Sequence, residues 1–209
     1  MTGKTERSFP ADLLMIKRWT ATTGKSPAKN SPATWSVAQM GVTSQTGYTP
    51  VGTSYIYVGH SYLGLSFFNA ESSANYSFAL RNNTSTDLSS SVKPIIDIVY
   101  AKSDYVENGT DTTGKLFKVL EFTKDYTLAN STSLKISATD LDFYVPTGYQ
   151  VFSIVRASSG TANVGLISFD PFESNCIIHL RNVSGSSVST TAAIGVSYIR
   201  KDYAEQILA

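Results

Sequence analysis

Apolar and polar residues alternate with a period of two over short stretches along most of the chain. In one stretch Tyr76, Phe78 and Leu80 fall on one face, and Ala79 and Arg81 fall on the other. Alternation of this kind is typical of β-strands with one buried face. The same pattern predicts strands near 96–100 and 194–198, and near 14–20, 34–40, 50–58, 62–69, 116–123, 132–138, 149–156 and 162–169. We therefore expect an all-β fold.

Three short motifs, Thr-Gly-Tyr, Leu-Arg-Asn and Tyr-x-Lys/Arg-x-Asp-Tyr, each occur twice. Their first residues are Thr46 and Thr147, Leu80 and Leu180, and Tyr100 and Tyr198. The copies lie 101, 100 and 98 residues apart, so the spacing between motifs is nearly preserved. The repeat predicts two tandem, jelly-roll-like β-sandwich domains related by internal duplication.

The inward faces also agree between the two copies. The expected core residues are Tyr76, Phe78, Leu80, Ile96, Ile98 and Tyr100 in the first copy, and Cys176, Ile178, Leu180, Ile194, Val196 and Tyr198 in the second. Glycine at 47 and 148 indicates a positive φ or a close backbone approach, and the tyrosine after each glycine is expected to cover the end of a sandwich with its hydroxyl in water.

Composition divides the chain into an N-terminal arm (1–13), a first module (14–105), a linker (106–114), a second module (115–204) and a tail (205–209). The linker is rich in glycine and small polar residues, so we expect an exposed connection. The region after Asp202 is compatible with one or two helical turns.

Serine and threonine make up about a quarter of the residues and aromatic residues 11%, a composition typical of β-sandwiches and of many adhesive proteins. The formal net charge of +1 is too balanced for a nucleic-acid-binding surface. Cys176 is the single cysteine, which excludes an intrachain disulfide. The chain shows neither an apolar run of about 20 residues nor a signal-peptide pattern, so we expect no membrane insertion and no secretory leader.

The sequence offers little for catalysis. Its two histidines, His60 and His179, have no counterparts in the other copy, and no Gly-x-Ser-x-Gly elbow occurs. Asp170 and Glu173 resemble a glycosidase pair only in spacing, because they flank a Pro-Phe turn. We expect no enzymatic activity, no metal site and no cofactor.

Tyr55, Tyr57 and Tyr62 form the best candidate for a binding surface. Tyr55 and Tyr57 lie on one side of a predicted strand, and exposed tyrosines stack on sugar rings and populate protein interfaces. Either carbohydrate or protein contact fits these residues.

Arg81, Arg181 and His179 are further surface candidates. The two arginines are either clamps for a glycan or carboxylate, or side chains that lie along the sheet where a strand ends in an Asn-containing turn. Their occurrence in both copies favours a shared role in the fold.

The order Gly-Tyr, then Leu-Arg-Asn before a Ser/Thr turn, then a closing strand ending in Tyr-Ile-Arg, resembles β-sandwich modules near the ends of tail- and head-fibre proteins in phages of gut bacteria. Residues 146–149, 180–184 and 196–200 carry the resemblance most fully, and residues 14–203 are covered by it. The resemblance implies a structural role on the surface of a virion, sometimes with receptor binding, and no catalytic residues.

These observations predict a head fibre or capsid-decorating element that contacts capsid or tail proteins, self-associates as a dimer or trimer, and can assist attachment to a host glycan. The arm, with Phe9, Leu13 and Leu14, is the expected anchor on the particle because terminal segments can fold on a partner. The alternatives are a receptor-binding or carbohydrate-binding module of a tail fibre, and an accessory domain of a surface polysaccharide hydrolase or lyase.

Overall fold

The computed structural model describes residues 10–61, 63–69, 76–107 and 114–207. These residues form thirteen strands, one 3₁₀ turn (Ser103–Tyr105) and one short helix, α1 (Lys201–Ile207). The strands are β1 (Leu14–Thr20), β2 (Pro32–Ser36), β3 (Tyr48–Tyr57), β4 (Leu63–Asn69), β5 (Tyr76–Asn82), β6 (Ile95–Lys102), β7 (Val106–Glu107), β8 (Phe117–Leu128), β9 (Ser133–Ile136), β10 (Tyr149–Ser158), β11 (Val164–Phe169), β12 (Ile178–Asn182) and β13 (Val188–Arg200). The expected all-β fold is confirmed.

Each half of the chain uses the same antiparallel pairings. In the first half β6 lies between β1 and β3, and β5 lies between β2 and β4. In the second half β13 lies between β8 and β10, and β12 lies between β9 and β11. Even the register shifts coincide, since β3 and β10 both have two, and β4 and β11 both have one at the corresponding place. That this correspondence arose by duplication stays a prediction.

The two halves are joined by strand pairs as well as by the linker. β4 pairs with β11 at Leu65 and Leu166, which occupy corresponding positions in the two halves. The end of β10 pairs with the end of β4 over residues 156–158 and 67–69. One large apolar cluster contains buried side chains from both halves. The halves therefore share a sheet and a core.

The predicted core faces are largely confirmed. Phe78, Leu80, Ile178 and Leu180 are fully buried. The closing strands of both halves bury Ile96, Ile98, Tyr100, Ile194, Val196 and Tyr198, each at most 3% exposed. The prediction for Cys176 was wrong, because this residue belongs to a turn before β12 and is only partly buried. The side chain of Tyr76 lies outside the described part of the structure.

A second apolar cluster corrects the predicted boundaries of the arm. Leu13 is 5% exposed and packs with Val51, Ala101, Phe117 and residues around them, with Leu14 partly buried beside it. These two leucines belong to the core of the chain itself, so in this fold they are not available as apolar anchors for a particle. Phe9 lies outside the described residues.

The predicted linker is also corrected at its start. Val106 and Glu107 form β7, which pairs in parallel with β8, and both residues are buried. Glu107 accepts a hydrogen bond from the backbone N–H of Lys115 at 2.9 Å and pairs with Lys118 at 3.1 Å. The carboxylate of Glu107 therefore fixes the end of the first half to the start of the second half. Residues 108–113 lie outside the described part.

Two motif positions have the backbone roles expected of them. Gly47 and Gly148 have φ of 76° and 82°, the left-handed region that favours glycine. Asn82 and Asn182 each donate to two backbone carbonyls and accept from the N–H two residues later, so both copies build the same turn. The hydroxyl of Tyr149 does not reach water as expected, because it lies 2.7 Å from the carbonyl oxygen of Lys115.

Candidate functional site

An open groove lies between the end of β3 and the end of β11. Its cavity measures about 340 Å³ and is lined by residues of β3, β4, β10 and β11 and of the turn after β11. The aromatic residues of this lining are Tyr55, Phe68, Phe152, Phe169 and Phe172. Thr53, Ser54, Ser153 and Asp170 supply its polar groups. We call this feature the β3–β11 groove.

Tyr55 forms one wall and is held by a row of side chains across three strands. Asp97 of β6 lies in register with both Arg18 of β1 and Tyr55 of β3. Arg18 donates to the two carboxylate oxygens of Asp97 at 2.8 and 2.7 Å, and its guanidinium carbon lies 5.7 Å from the centre of the Tyr55 ring. These hydrogen bonds lower the pKa of Asp97 below its ordinary value, so the ion pair persists at neutral pH.

Phe172 forms the opposite wall and is 74% exposed, more than any other large apolar side chain in the described part of the chain. The turn that carries it is tightly bonded. Asp170 accepts the backbone N–H of Phe172 on its carboxylate at 2.9 Å and donates its own N–H to the carbonyl of Ile177 at 2.8 Å. Pro171, which lies between Asp170 and Phe172 in the chain, is buried. These hydrogen bonds fix the backbone of the turn, and the ring of Phe172 projects from it into solvent.

The corresponding place on the other side of the molecule is closed. There residues 156–158 of β10 pair with 67–69 of β4, and the N–H of Ser159 donates to the carbonyl of Ser66 at 3.0 Å. The matching contact would join 55–57 with 168–170. Between these described segments no strand pairing is formed. The groove is thus the place where one of two equivalent strand junctions is left open.

The two junctions differ in the residues next to the point where the strands would meet. Ser66 and Ser159 are both fully buried at the closed junction, and the Ser66 hydroxyl donates to the carbonyl of Ala162 at 3.2 Å. The equivalent positions hold Ile167, which is 51% exposed, and Val58. The closed junction therefore has two buried hydroxyl residues where the open junction has two larger apolar residues.

The structure brings one of the predicted surface residues into this site. Tyr55 lines the groove, whereas Tyr57 is exposed two residues further along β3 and does not line it. Arg181 is exposed and His179 is partly buried on β12, and both lie outside the lining. Tyr62 lies outside the described residues.

Arg81 is not a surface residue, which corrects its prediction as a binding candidate. It is 1% exposed, and its guanidinium donates to the carbonyls of Asn30 and Val183 and to the side chain of Asn163 at 3.3 Å. Burial lowers the pKa of Arg81 from its ordinary value. The side chain therefore ties turns of the two halves together, a role that Arg181 lacks.

Sequence reasoning missed Arg18, Asp170 and Phe172 as parts of a site. Asp170 and its turn were recognised, since an Asp-Pro-Phe sequence indicates a turn. The exposure of Phe172 had no signal in the alternation pattern, because the residue lies between strands. Arg18 lies beside Tyr55 because both strands pair with β6, whose Asp97 is 79 residues later in the chain than Arg18.

A second hollow, of about 390 Å³, is polar. Asp125, Tyr126, Thr127, Ser189, Thr190 and Thr191 line it. Thr191 donates to Asp125, and the Thr127 and Ser189 hydroxyls lie 2.8 Å apart. These pairs satisfy one another across two neighbouring strands, so the hollow offers fewer groups to a ligand than the β3–β11 groove.

The strongly raised phenol pKa values belong to buried tyrosines with structural partners. Burial raises the pKa of Tyr126 to about 12, and its hydroxyl donates to the carbonyl of Ser159 at 2.6 Å. Burial, followed by the nearby charge of Glu107, raises the pKa of Tyr149 to about 12. Burial also raises the pKa of Tyr198, whose hydroxyl donates to the carbonyl of Tyr144 at 3.0 Å. These phenols fasten strands and loops together.

Among the described residues, no group of three or more His, Cys, Asp or Glu side chains is placed to hold a metal ion. Within the same part of the chain, no helix has the length and apolar character needed to cross a membrane. A scan against protein-family models finds no match, and searches of curated proteins and of solved structures find none either. The fold and the groove are therefore the basis for assigning a function.

Proposed function

We propose that this chain is a non-enzymatic structural protein of a bacteriophage particle, a head fibre or capsid-decorating element displayed on the virion surface. The repeated motifs support this proposal through their resemblance to phage fibre modules. In both halves the glycine and asparagine of those motifs set a turn or a strand start.

The β3–β11 groove is the observation that carries a binding role. It combines two aromatic walls with a rigid frame, and exposed aromatic rings on fixed backbones bind partners with little loss of conformational entropy. Its carboxylate, on Asp170, is already used by the N–H of Phe172. The lining is suited to contact and stacking more than to proton transfer.

Localisation on purified particles tests the structural role. Virions that encode the chain would be disrupted into heads and tails, and the protein quantified in each fraction by mass spectrometry against the major capsid protein. We expect a fixed stoichiometry in the head fraction. Recovery in the tail fraction alone would favour the receptor-binding alternative, and absence from washed particles would contradict the proposal.

A carbohydrate-binding role is the second candidate, because Tyr55 and Phe172 face one groove and both are exposed. Glycan-array binding that is lost in Tyr55→Ala and Phe172→Ala would favour it. Tyr144→Ala is the matched control, since Tyr144 is 56% exposed and lies outside the groove. Release of reducing ends or unsaturated sugars from host polysaccharide would contradict the non-enzymatic assignment.

A further inference from the structure

Four of the seven exposed large apolar side chains in the described part of the chain lie at or beside the β3–β11 groove. Tyr55 and Phe172 line the groove, Tyr57 follows on β3, and Ile167 belongs to β11. Their exposed fractions range from 45% to 74%. Soluble monomers rarely expose large contiguous apolar patches, because contact of apolar surface with water is unfavourable. The cluster therefore indicates a surface that a macromolecular partner covers.

This surface has both a projecting ring and a recess lined by rings. Phe172 projects from a turn whose backbone is fixed by the Asp170 carboxylate. Beside it, Phe152 and Phe169 line the groove and are only partly buried, so they offer apolar surface to a ring that enters. Aromatic rings pack favourably against one another in such contacts. A two-fold axis through this surface places Phe172 of each copy at the recess of the other, so the surface fits a second copy of itself.

The charges on the two sides of the groove are opposite in sign. Beside Tyr55, the side chain of Arg18 is 62% exposed, whereas that of its ion-pair partner Asp97 is 12% exposed, so the guanidinium forms the accessible surface on this side. On the other side, the turn after β11 carries the exposed residues Asp170 and Glu173. In a contact with two-fold symmetry, the acidic turn of each copy faces the guanidinium of the other. The surface is therefore complementary to itself in charge as well.

We propose that the β3–β11 groove is the interface of a two-fold symmetric homodimer, in which Phe172 of each copy packs into the groove of the other. The contact is made by side chains and adds no strand pairing, because the backbone N–H and C=O of Thr53 are already bonded to the hydroxyl of Ser153. A two-fold contact uses the same patch on both copies, so it closes on itself and yields dimers only. This inference holds independently of the particle on which the protein is displayed.

Sedimentation velocity of the full chain at concentrations from about 1 µM to about 1 mM tests this interface. We expect a reversible equilibrium between monomer and dimer with a Kd in the micromolar range, because the contact is small. Phe172→Ala should raise this Kd about tenfold or more, since it removes the ring that fills the groove of the other copy. Phe172 is exposed, so the variant should keep the circular dichroism spectrum of the parent. Tyr144→Ala is the control and should leave the Kd unchanged, because Tyr144 is 56% exposed but lies outside the groove.

Glu173→Arg tests the charge complementarity separately. It places a positive charge opposite Arg18 of the other copy and should raise the Kd several-fold. Asp104→Arg is its control, because it changes the net charge equally at an exposed residue beyond the opposite end of β6 from Asp97, and it should leave the Kd unchanged. A parent that stays monomeric over the whole range would overturn the proposal, and its binding to a glycan through Phe172 would then assign the groove to a carbohydrate. Equally tight dimers of Phe172→Ala, or association that continues beyond the dimer, would also overturn it.

Discussion

The two Leu-Arg-Asn motifs provide a matched pair of substitutions. Arg81 and Arg181 occupy equivalent places, yet Arg81 is 1% exposed whereas Arg181 lies at the surface. Replacing either with methionine keeps a long unbranched side chain and removes the guanidinium. Only at Arg81 does this remove hydrogen bonds between turns of the two halves, to the carbonyls of the exposed Asn30 and the partly buried Val183.

The expected cost follows from those partners. A hydrogen bond donated by a charged group contributes about 1.5–3 kcal/mol, with the lower end expected where the acceptor residue is exposed, and three such bonds are lost, two to carbonyls and one to the side chain of Asn163. The gain from no longer burying a guanidinium, whose Nε already lacks a hydrogen-bond partner, offsets part of this loss. We expect Arg81→Met to lower the free energy of unfolding by about 3 kcal/mol, and Arg181→Met to change it by about 0.5 kcal/mol or less.

Thermal and urea unfolding of the two variants, followed by circular dichroism, measures this difference. For a chain of this size 3 kcal/mol corresponds to a fall in Tm of about 6–12 °C. Similar Tm values for the two variants would refute the account of Arg81 as a tie between the halves. A large loss for Arg181→Met would show that the shared motif, and not the junction, sets the effect.

Three further substitutions test other parts of the structure. Tyr126→Phe removes a buried hydrogen bond and should cost about 1 kcal/mol at pH 7. Burial raises the pKa of Tyr126 to about 12, so the stability that the protonated phenol adds to the fold is complete below about pH 10 and is lost as the pH rises toward 12. In urea unfolding, the free energy of unfolding of the parent should therefore fall by about 2–3 kcal/mol more than that of the variant over this range. Equal losses in the two proteins would contradict the burial of this phenol. Thr53→Val removes a buried hydroxyl without a hydrogen-bond partner and should raise the free energy of unfolding by about 1 kcal/mol. Thr49→Val removes a hydroxyl that lies 2.8 Å from the hydroxyl of Ser103, and should lower the free energy of unfolding. The opposite order would refute this account of Thr53. Leu13→Ala should destabilise the isolated protein by about 2–4 kcal/mol, and an unchanged Tm would return this leucine to the list of possible anchors.

Much of the fold was predictable because it depends on local patterns. Alternation around Phe78 and Ile178 identified buried faces, since a strand exposes successive side chains to opposite sides. Glycine at 47 and 148 marked a positive φ, because other residues rarely adopt that backbone conformation. These signals need only neighbouring residues.

The candidate site was mostly not predictable, because its properties depend on how the halves meet. Identical Leu-Arg-Asn triplets place one arginine inside the molecule and one outside, since only Arg81 lies against a turn of the other half. Leu13 was assigned to the arm because residues 1–13 have no counterpart in the second half, and its contact with a second apolar cluster joins residues far apart in the chain. The groove lies where the two strand junctions differ, with Val58 and Ile167 in place of two serines, and this difference is visible only when the pairing of both halves is known.

Amide hydrogen exchange at these two junctions tests the central claim most directly. The N–H of Ser159 donates to the carbonyl of Ser66 at the closed junction, while the equivalent Val58 does not bond to Ile167 at the groove. We predict slow exchange, close to that of the core strands, for Ser159 and much faster exchange for Val58 in the isolated protein at low concentration. Equal protection of both amides would mean that the groove is closed in solution, and would contradict the proposed binding site.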